Sequence, residues 1–237
     1  MLLGGWGVYF TVQKAWRSTF GEEYFGSRDI DLGFHTPLSA TVADLRKGNL
    51  PATIAHLETH GFSRQGMYQF LRFHDHETNE VLAATEVAER PGFAYYAIAV
   101  DLIIDERRPD ARDIADFQAF AEPMLGQVFA DPLHRRIHAI NSVRVQVPAP
   151  HALLAMKLAS LPQRQKDDKS VKDLCDIYAL ITASGDDPRT LRNRLRRLMP
   201  TASAAVQAAM DSRFLDDTAG LLEARPALVR HALAQLA

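Results

Sequence analysis

Asp29-Ile30-Asp31 places two carboxylates at positions i and i+2 of an alternating segment, and on a strand such positions project from one face. Carboxylates held this close repel unless a cation neutralises them, and hard divalent ions with oxygen ligands, Mg²⁺ above all, meet that need. The bland alternative is a solvated strand edge carrying two charges. Asp101 interrupts Tyr95–Ile104 (YYAIAVDLII), the most β-like and apolar stretch of the chain. A buried carboxylate needs a compensating partner, because leaving it unpaired costs on the order of several kcal/mol. A metal shared with Asp29 and Asp31 would supply one. Otherwise Asp101 simply begins an exposed strand end that continues into Asp105 and Glu106.

Lys157 stands in an otherwise apolar helical block, where its ammonium would need a cleft or a carboxylate. Asp173 and Asp176, at i and i+3, share a helix face and are expected to pair with Lys157 or Arg164. The alternative is a surface lattice of ion pairs. Gly4-Gly5 follows a short apolar run and opens a helix, so it reads as a plain turn or as a place where backbone N–H groups approach phosphate. His74-Asp75-His76 has metal-ligand residue types but lies in a polar stretch without a third ligand, and reads as a solvated turn. Cys175 reads as a small buried hydrophobe. The run Arg189, Arg192, Arg194, Arg196, Arg197 reads as a solvated helix face or as a phosphate-contacting one.

The elements that must position these groups follow from periodicity. Strands are expected at 29–32, 67–73, 95–104 and 142–147, with 81–89 a return strand or short helix. Helices are expected at 6–16, 50–60 with Gly61 as a stop, and 111–129. From Pro150 onward only helices follow, near 150–162, 168–183, 187–198, 201–222 and 226–236. The chain is therefore α+β, with an α/β domain over 1–147 and a helical domain over 148–237.

The 237 residues carry 27 Lys+Arg and 29 Asp+Glu, a formal net charge of −2, with 47% hydrophobic residues, which excludes a disordered chain. A single cysteine excludes a disulfide scaffold. The near-neutral total conceals a partition. Between Arg135 and Arg197 there are 13 Lys/Arg against six Asp/Glu, a net of +7, so the remainder carries −9. Such asymmetry fits a polyanionic partner. No stretch reaches the ~18 apolar residues of a membrane span, and no signal peptide is evident, so a cytoplasmic location is expected.

Taken in order, Gly4-Gly5, Gly26-Ser27-Arg28-Asp29-Ile30-Asp31-Leu32 and Val100-Asp101-Leu102 resemble the polymerase-beta type of nucleotidyltransferase superfold. Val147–Pro150, Leu153-Leu154, Lys157-Leu158-Ala159, Arg164 and Lys172-Asp173-Leu174-Cys175-Asp176-Ile177 resemble the AbiEii family of nucleotidyltransferases, which includes abortive-infection toxins and the related MenT toxins. The resemblance covers roughly residues 2–183. It implies an enzyme that uses Mg²⁺, held by Asp29, Asp31 and Asp101, to transfer a nucleoside monophosphate from an NTP donor. It further implies that Gly4, Gly5 and Ser27 contact phosphates, that Lys157 neutralises the triphosphate, and that Asp173 and Asp176 position Lys157 and Arg164. A tRNA acceptor and a cognate antitoxin are the implied partners. The alternatives are a small acceptor, as in aminoglycoside nucleotidyltransferases, and a catalytically silent member serving as a binding module.

Overall fold

A computed structural model describes residues 1–66, 69–106, 108, 110, 114, 116 and 120–237. The chain forms two compact units, one of residues 1–2 and 27–130, the other of 3–26 and 131–237. This differs from the linear division at 147/148. The Gly4–Phe20 helix and the hairpin of residues 135–148 group with the helices rather than with the sheet.

The first unit is built on a mixed sheet. Its strands are β1 (Asp29–Phe34), β2 (Ser63–Gln65), β3 (Gln69–Asp75), β4 (Val81–Leu82), β5 (Tyr95–Ile104) and β6 (Phe120–Ala121), in the order β1-β5-β3-β2. β1 and β6 run parallel to β5, whereas β3 is antiparallel to it. Met1 extends the outer edge of β1 by exchanging hydrogen bonds with Gly33, beside a Leu2–Leu32 bridge. Alternation divides this sheet into two faces. Ile30, Leu32, Phe34, Phe70, Val100, Leu102 and Ile104 pack with Leu50, Ile54 and Leu57 of the Asn49–Thr59 helix into one apolar core. The odd-numbered residues of β1, β3 and β5 occupy the other face.

The second unit is helical, with one added hairpin, β7 (Arg135–Ile140) and β8 (Val143–Pro148). The Asp167–Ala183 helix forms its spine, and Leu174, Cys175, Ile177, Ala179 and Leu180 are almost inaccessible. Trp16 packs edge-on against Tyr24 and Tyr178, tying the N-terminal helix to that spine. Gly21 ends the N-terminal helix at φ +80°, a conformation costly for residues with a Cβ.

The predicted elements hold at 29–32, 50–60 and 95–104. Others shift for identifiable reasons. The expected strand at 67–73 is observed from Gln69 to Asp75, with 67 and 68 outside the described residues. Within 81–89 both alternatives occur, β4 followed by a helix at Ala84–Ala88. Of the helix expected over 111–129, the described residues show Ile114 as helical and the Met124–Ala130 helix, while Phe120-Ala121 pairs with β5; 111–113, 115 and 117–119 lie outside the described residues. Strand β7 was not foreseen, because its alternation is masked by Arg135, Arg136 and His138. The expected 201–222 helix is two, Ala202–Met210 and Leu215–Leu221. The Ser212 hydroxyl accepts from Phe214 N–H at the break, a local bond that competes with helix continuation.

Candidate functional site

In the sheet unit the register carries the site. Asp31 is the Cα partner of Asp101 across the parallel β1–β5 pair, and Gln69 is the partner of Asp101 across the antiparallel β3–β5 pair. Asp29 lies two residues before Asp31. Four polar residues thus share the face opposite the apolar core, and all are half-buried. The Gln69 Nε2 amide donates to Asp101 Oδ1 at 2.8 Å. Asp101 is therefore neither deeply buried nor at an exposed end. The exposed end expected at Asp105 is absent as well, because Asp105 is wholly buried. Ser27 Oγ accepts from Asp29 N–H at 3.3 Å and shapes the entry to β1.

An all-carboxylate donor set on one sheet face suits a hard divalent cation in chemistry and in register. Among the described residues, however, no group of three or more His, Cys, Asp and Glu side chains is gathered closely enough to hold a metal ion. The backbone aligns the three aspartates, and a cation would still have to draw their side chains together.

In the helical unit Lys157 meets the carboxylates expected for it. Its Nζ lies 2.6 Å from Asp173 Oδ1 and 2.7 Å from Asp176 Oδ2. Arg164 Nε donates to Asp173 Oδ2 at 2.6 Å, and Ser160 Oγ donates to the same oxygen at 3.2 Å. Tyr24 donates its hydroxyl to Asp176 Oδ1 at 2.6 Å, and Lys172 Nζ pairs with that oxygen too. The Lys172 ammonium also lies over the rings of Tyr24 and Phe25, at 5.1 and 4.7 Å. Burial pulls the Lys157 pKa down, but Asp176 and Asp173 outweigh it and hold the ammonium above its ordinary range. Burial likewise raises Asp173, yet Lys157 and Arg164 bring its carboxyl below the usual value. This is a buried lattice of three cations on two carboxylates rather than the surface one considered from sequence. Arg164 is its more open member, with a side chain 35% exposed.

Gly4 and Gly5 form the first turn of the Gly4–Phe20 helix, with Gly4 at φ +58°. His74 belongs to β3 rather than to a solvated turn; it is buried, and its Nδ1 meets the Asn79 carbonyl. Asp75 accepts from Glu77 and Thr78 N–H and is held down to about 2, with Arg90 assisting. Burial pushes the Cys175 thiol up to about 12, consistent with an inert core residue. The arginine run lines the Pro188–Leu198 helix, whose Leu191, Leu195 and Leu198 are buried while Arg189, Arg194, Arg196 and Arg197 are exposed. Sequence reasoning missed Gln69, Tyr24 and the contact of His35 with Asp105. Each pairing depends on register or on partners far apart in the chain, and no local spacing announces it.

Among the described residues no helix is long and apolar enough to cross a membrane. No curated protein matches the chain. Among solved structures it is similar to the crystal structure of an antigenic nucleotidyltransferase-like protein from Paracoccidioides brasiliensis, at 17% identity over 87% of this chain and 83% of that one, with a TM-score of 0.39. The profile described as "Nucleotidyl transferase AbiEii toxin, Type IV TA system" matches residues 23–234, a span that includes Asp29, Asp31, Asp101 and the Lys157 lattice. The chain belongs to the AbiEii nucleotidyl transferase toxin family of type IV toxin–antitoxin systems.

Proposed function

We propose that the protein transfers a nucleoside monophosphate from an NTP to a hydroxyl of tRNA, releasing pyrophosphate, as the cytoplasmic toxin of a pair with a cognate antitoxin. The observation that carries this reading is the pairing of Asp31 with Asp101, with Asp29 two residues earlier on the same face. Asp29, Asp31 and Asp101 would hold Mg²⁺, which when bound supplies positive charge against the triphosphate and the developing charge at phosphorus. Gln69 fixes the Asp101 carboxylate by its amide bond and keeps one oxygen occupied. Ser27, at the entry to β1, is assigned to a phosphate, as are Gly4 and Gly5 at the start of their helix. Lys157 and Arg164, positioned by Asp173 and Asp176, are assigned to the triphosphate. The exposed arginines of the Pro188–Leu198 helix supply charge suited to an RNA backbone.

The test is incubation with Mg²⁺, each α-labelled NTP and bulk tRNA, beside an Asp29→Ala/Asp31→Ala variant. Labelled tRNA and stoichiometric pyrophosphate are expected with the wild type alone. Label with both proteins, or with neither, overturns the reading.

A further inference from the structure

The face of the sheet that carries the aspartates continues past them. At the carboxyl ends of β1 and β5 the next odd-numbered positions are His35 and Asp105, and Asp105 N–H still bonds to the Phe34 carbonyl as the ladder continues. Asp105 is completely buried, an expensive place for a carboxylate without donors. It has three. Thr36 N–H donates to Oδ1 at 2.6 Å, Thr36 Oγ1 to the same oxygen at 3.0 Å, and His35 Nδ1 meets Oδ2 in a short contact. The Met124–Ala130 helix lies beside this end, with Asp105 Cβ 4.0 Å from where a side chain on Gly126 would begin and the Phe129 ring 5.0 Å from the imidazole. The His35 side chain nevertheless stays 50% exposed.

This combination has a chemical meaning. A buried carboxylate that accepts from Nδ1–H fixes the ring and its tautomer, leaving the Nε2 lone pair to face outward. Among the described residues, the other charges of this end of the sheet are engaged. Glu106 accepts from Leu38 N–H, and Arg108 is bound to Asp110 and to the Pro37 and Ala40 carbonyls. Glu122, which follows β6, accepts from Met124 N–H, and burial raises its carboxyl. Four residue steps, the last of them just past the end of β1, separate Asp31 from His35, about 13 Å. That interval leaves room for a bound α-phosphate and an incoming hydroxyl.

We propose that His35 is the general base that takes the proton of the acceptor hydroxyl, with Asp105 as its positioning residue. The inference rests on the nucleotidyl-transfer reading above. The hydroxyl proton passes to His35 Nε2 as the oxygen bonds to the α-phosphorus. The bond from that phosphorus to the leaving oxygen breaks, and its electron pair departs with pyrophosphate.

The test compares wild type, His35→Gln and Asp105→Asn in single-turnover transfer from α-labelled NTP to bulk tRNA with Mg²⁺, across pH. His35→Gln, altering a half-exposed side chain, is expected to keep its fold and NTP affinity while slowing transfer about 100-fold. It should also lose the acid limb of the pH profile, and Asp105→Asn should shift that limb. Nitrogen-15 NMR of the wild type should show neutral His35 protonated at Nδ1, independently of turnover. Transfer by His35→Gln within about threefold of wild type, or an Nε2-protonated tautomer, overturns the assignment. If His35→Gln labels tRNA as the wild type does, only the role of His35 falls. If the wild type labels nothing and releases no pyrophosphate, the transferase reading falls and the base with it.

Discussion

Two clusters of acidic residues in this chain solve opposite electrostatic problems. On the sheet, Asp29, Asp31 and Asp101 are half-buried and aligned by register on a face that the apolar core leaves alone. In the helical unit, Asp173 and Asp176 are buried, and Lys157, Lys172, Arg164, Tyr24 and Ser160 all direct donors at them. Carboxylates lined up together are tolerated at an exposure where a cation can reach them, whereas carboxylates in a core must be cancelled from within. The first arrangement reads as chemistry. The second, assigned above to positioning Lys157 and Arg164, also holds the fold.

The largest stability effect should come from breaking the cancelled cluster. Asp176→Ala leaves Lys157, Lys172 and the Tyr24 hydroxyl without a shared acceptor, and should destabilise by about 3–5 kcal/mol in urea unfolding. A cost below about 1 kcal/mol would show that the lattice is only decorative.

A second effect is pH-dependent and belongs to the same unit. His151 is buried with His134 against its Nε2, and burial, with His134 second, lowers its pKa from 6.5 to about 4. The unfolded chain therefore takes the proton first. The stabilisation is complete above pH 6.5 and is lost as pH falls towards 4, at most about 3 kcal/mol. His151→Gln should flatten that part of the stability profile. A profile unchanged by the substitution would contradict the assignment. Asp173 adds a further loss below about pH 4, because its folded pKa is depressed and its contribution disappears as pH falls through it.

The smallest effect tests the sheet side. Gln69→Leu removes the amide that holds Asp101, and should cost about 0.5–1.5 kcal/mol because the site is half exposed. A loss comparable to that of Asp176→Ala would erase the contrast between the two clusters.

Local spacing made part of this site legible. Asp29-x-Asp31, Asp101 in its apolar strand, and the pairing of Lys157 with an i,i+3 pair of aspartates could all be read before any fold was known. What could not be read depended on which strands became neighbours. Gln69 faces Asp101 only because β3 pairs antiparallel with β5. Asp105, which looks like one more surface charge in Asp105-Glu106, is buried because His35 and Thr36, some 70 residues earlier, come to meet it. The same limit hid β7, whose partner β8 supplies the regularity that its own charges obscure.

The aspartate face of the sheet is proposed above to hold a divalent cation with the NTP. The most direct measurement is the melting temperature of wild type and Asp29→Asn/Asp31→Asn as Mg²⁺ is added with a non-hydrolysable NTP. Ligand at ten times its dissociation constant should stabilise the wild type by about 1.4 kcal/mol, a rise of a few degrees. The variant should melt at or above the metal-free wild type and gain nothing from the additions. Equal gains in both proteins would show that Asp29 and Asp31 do not hold the cation.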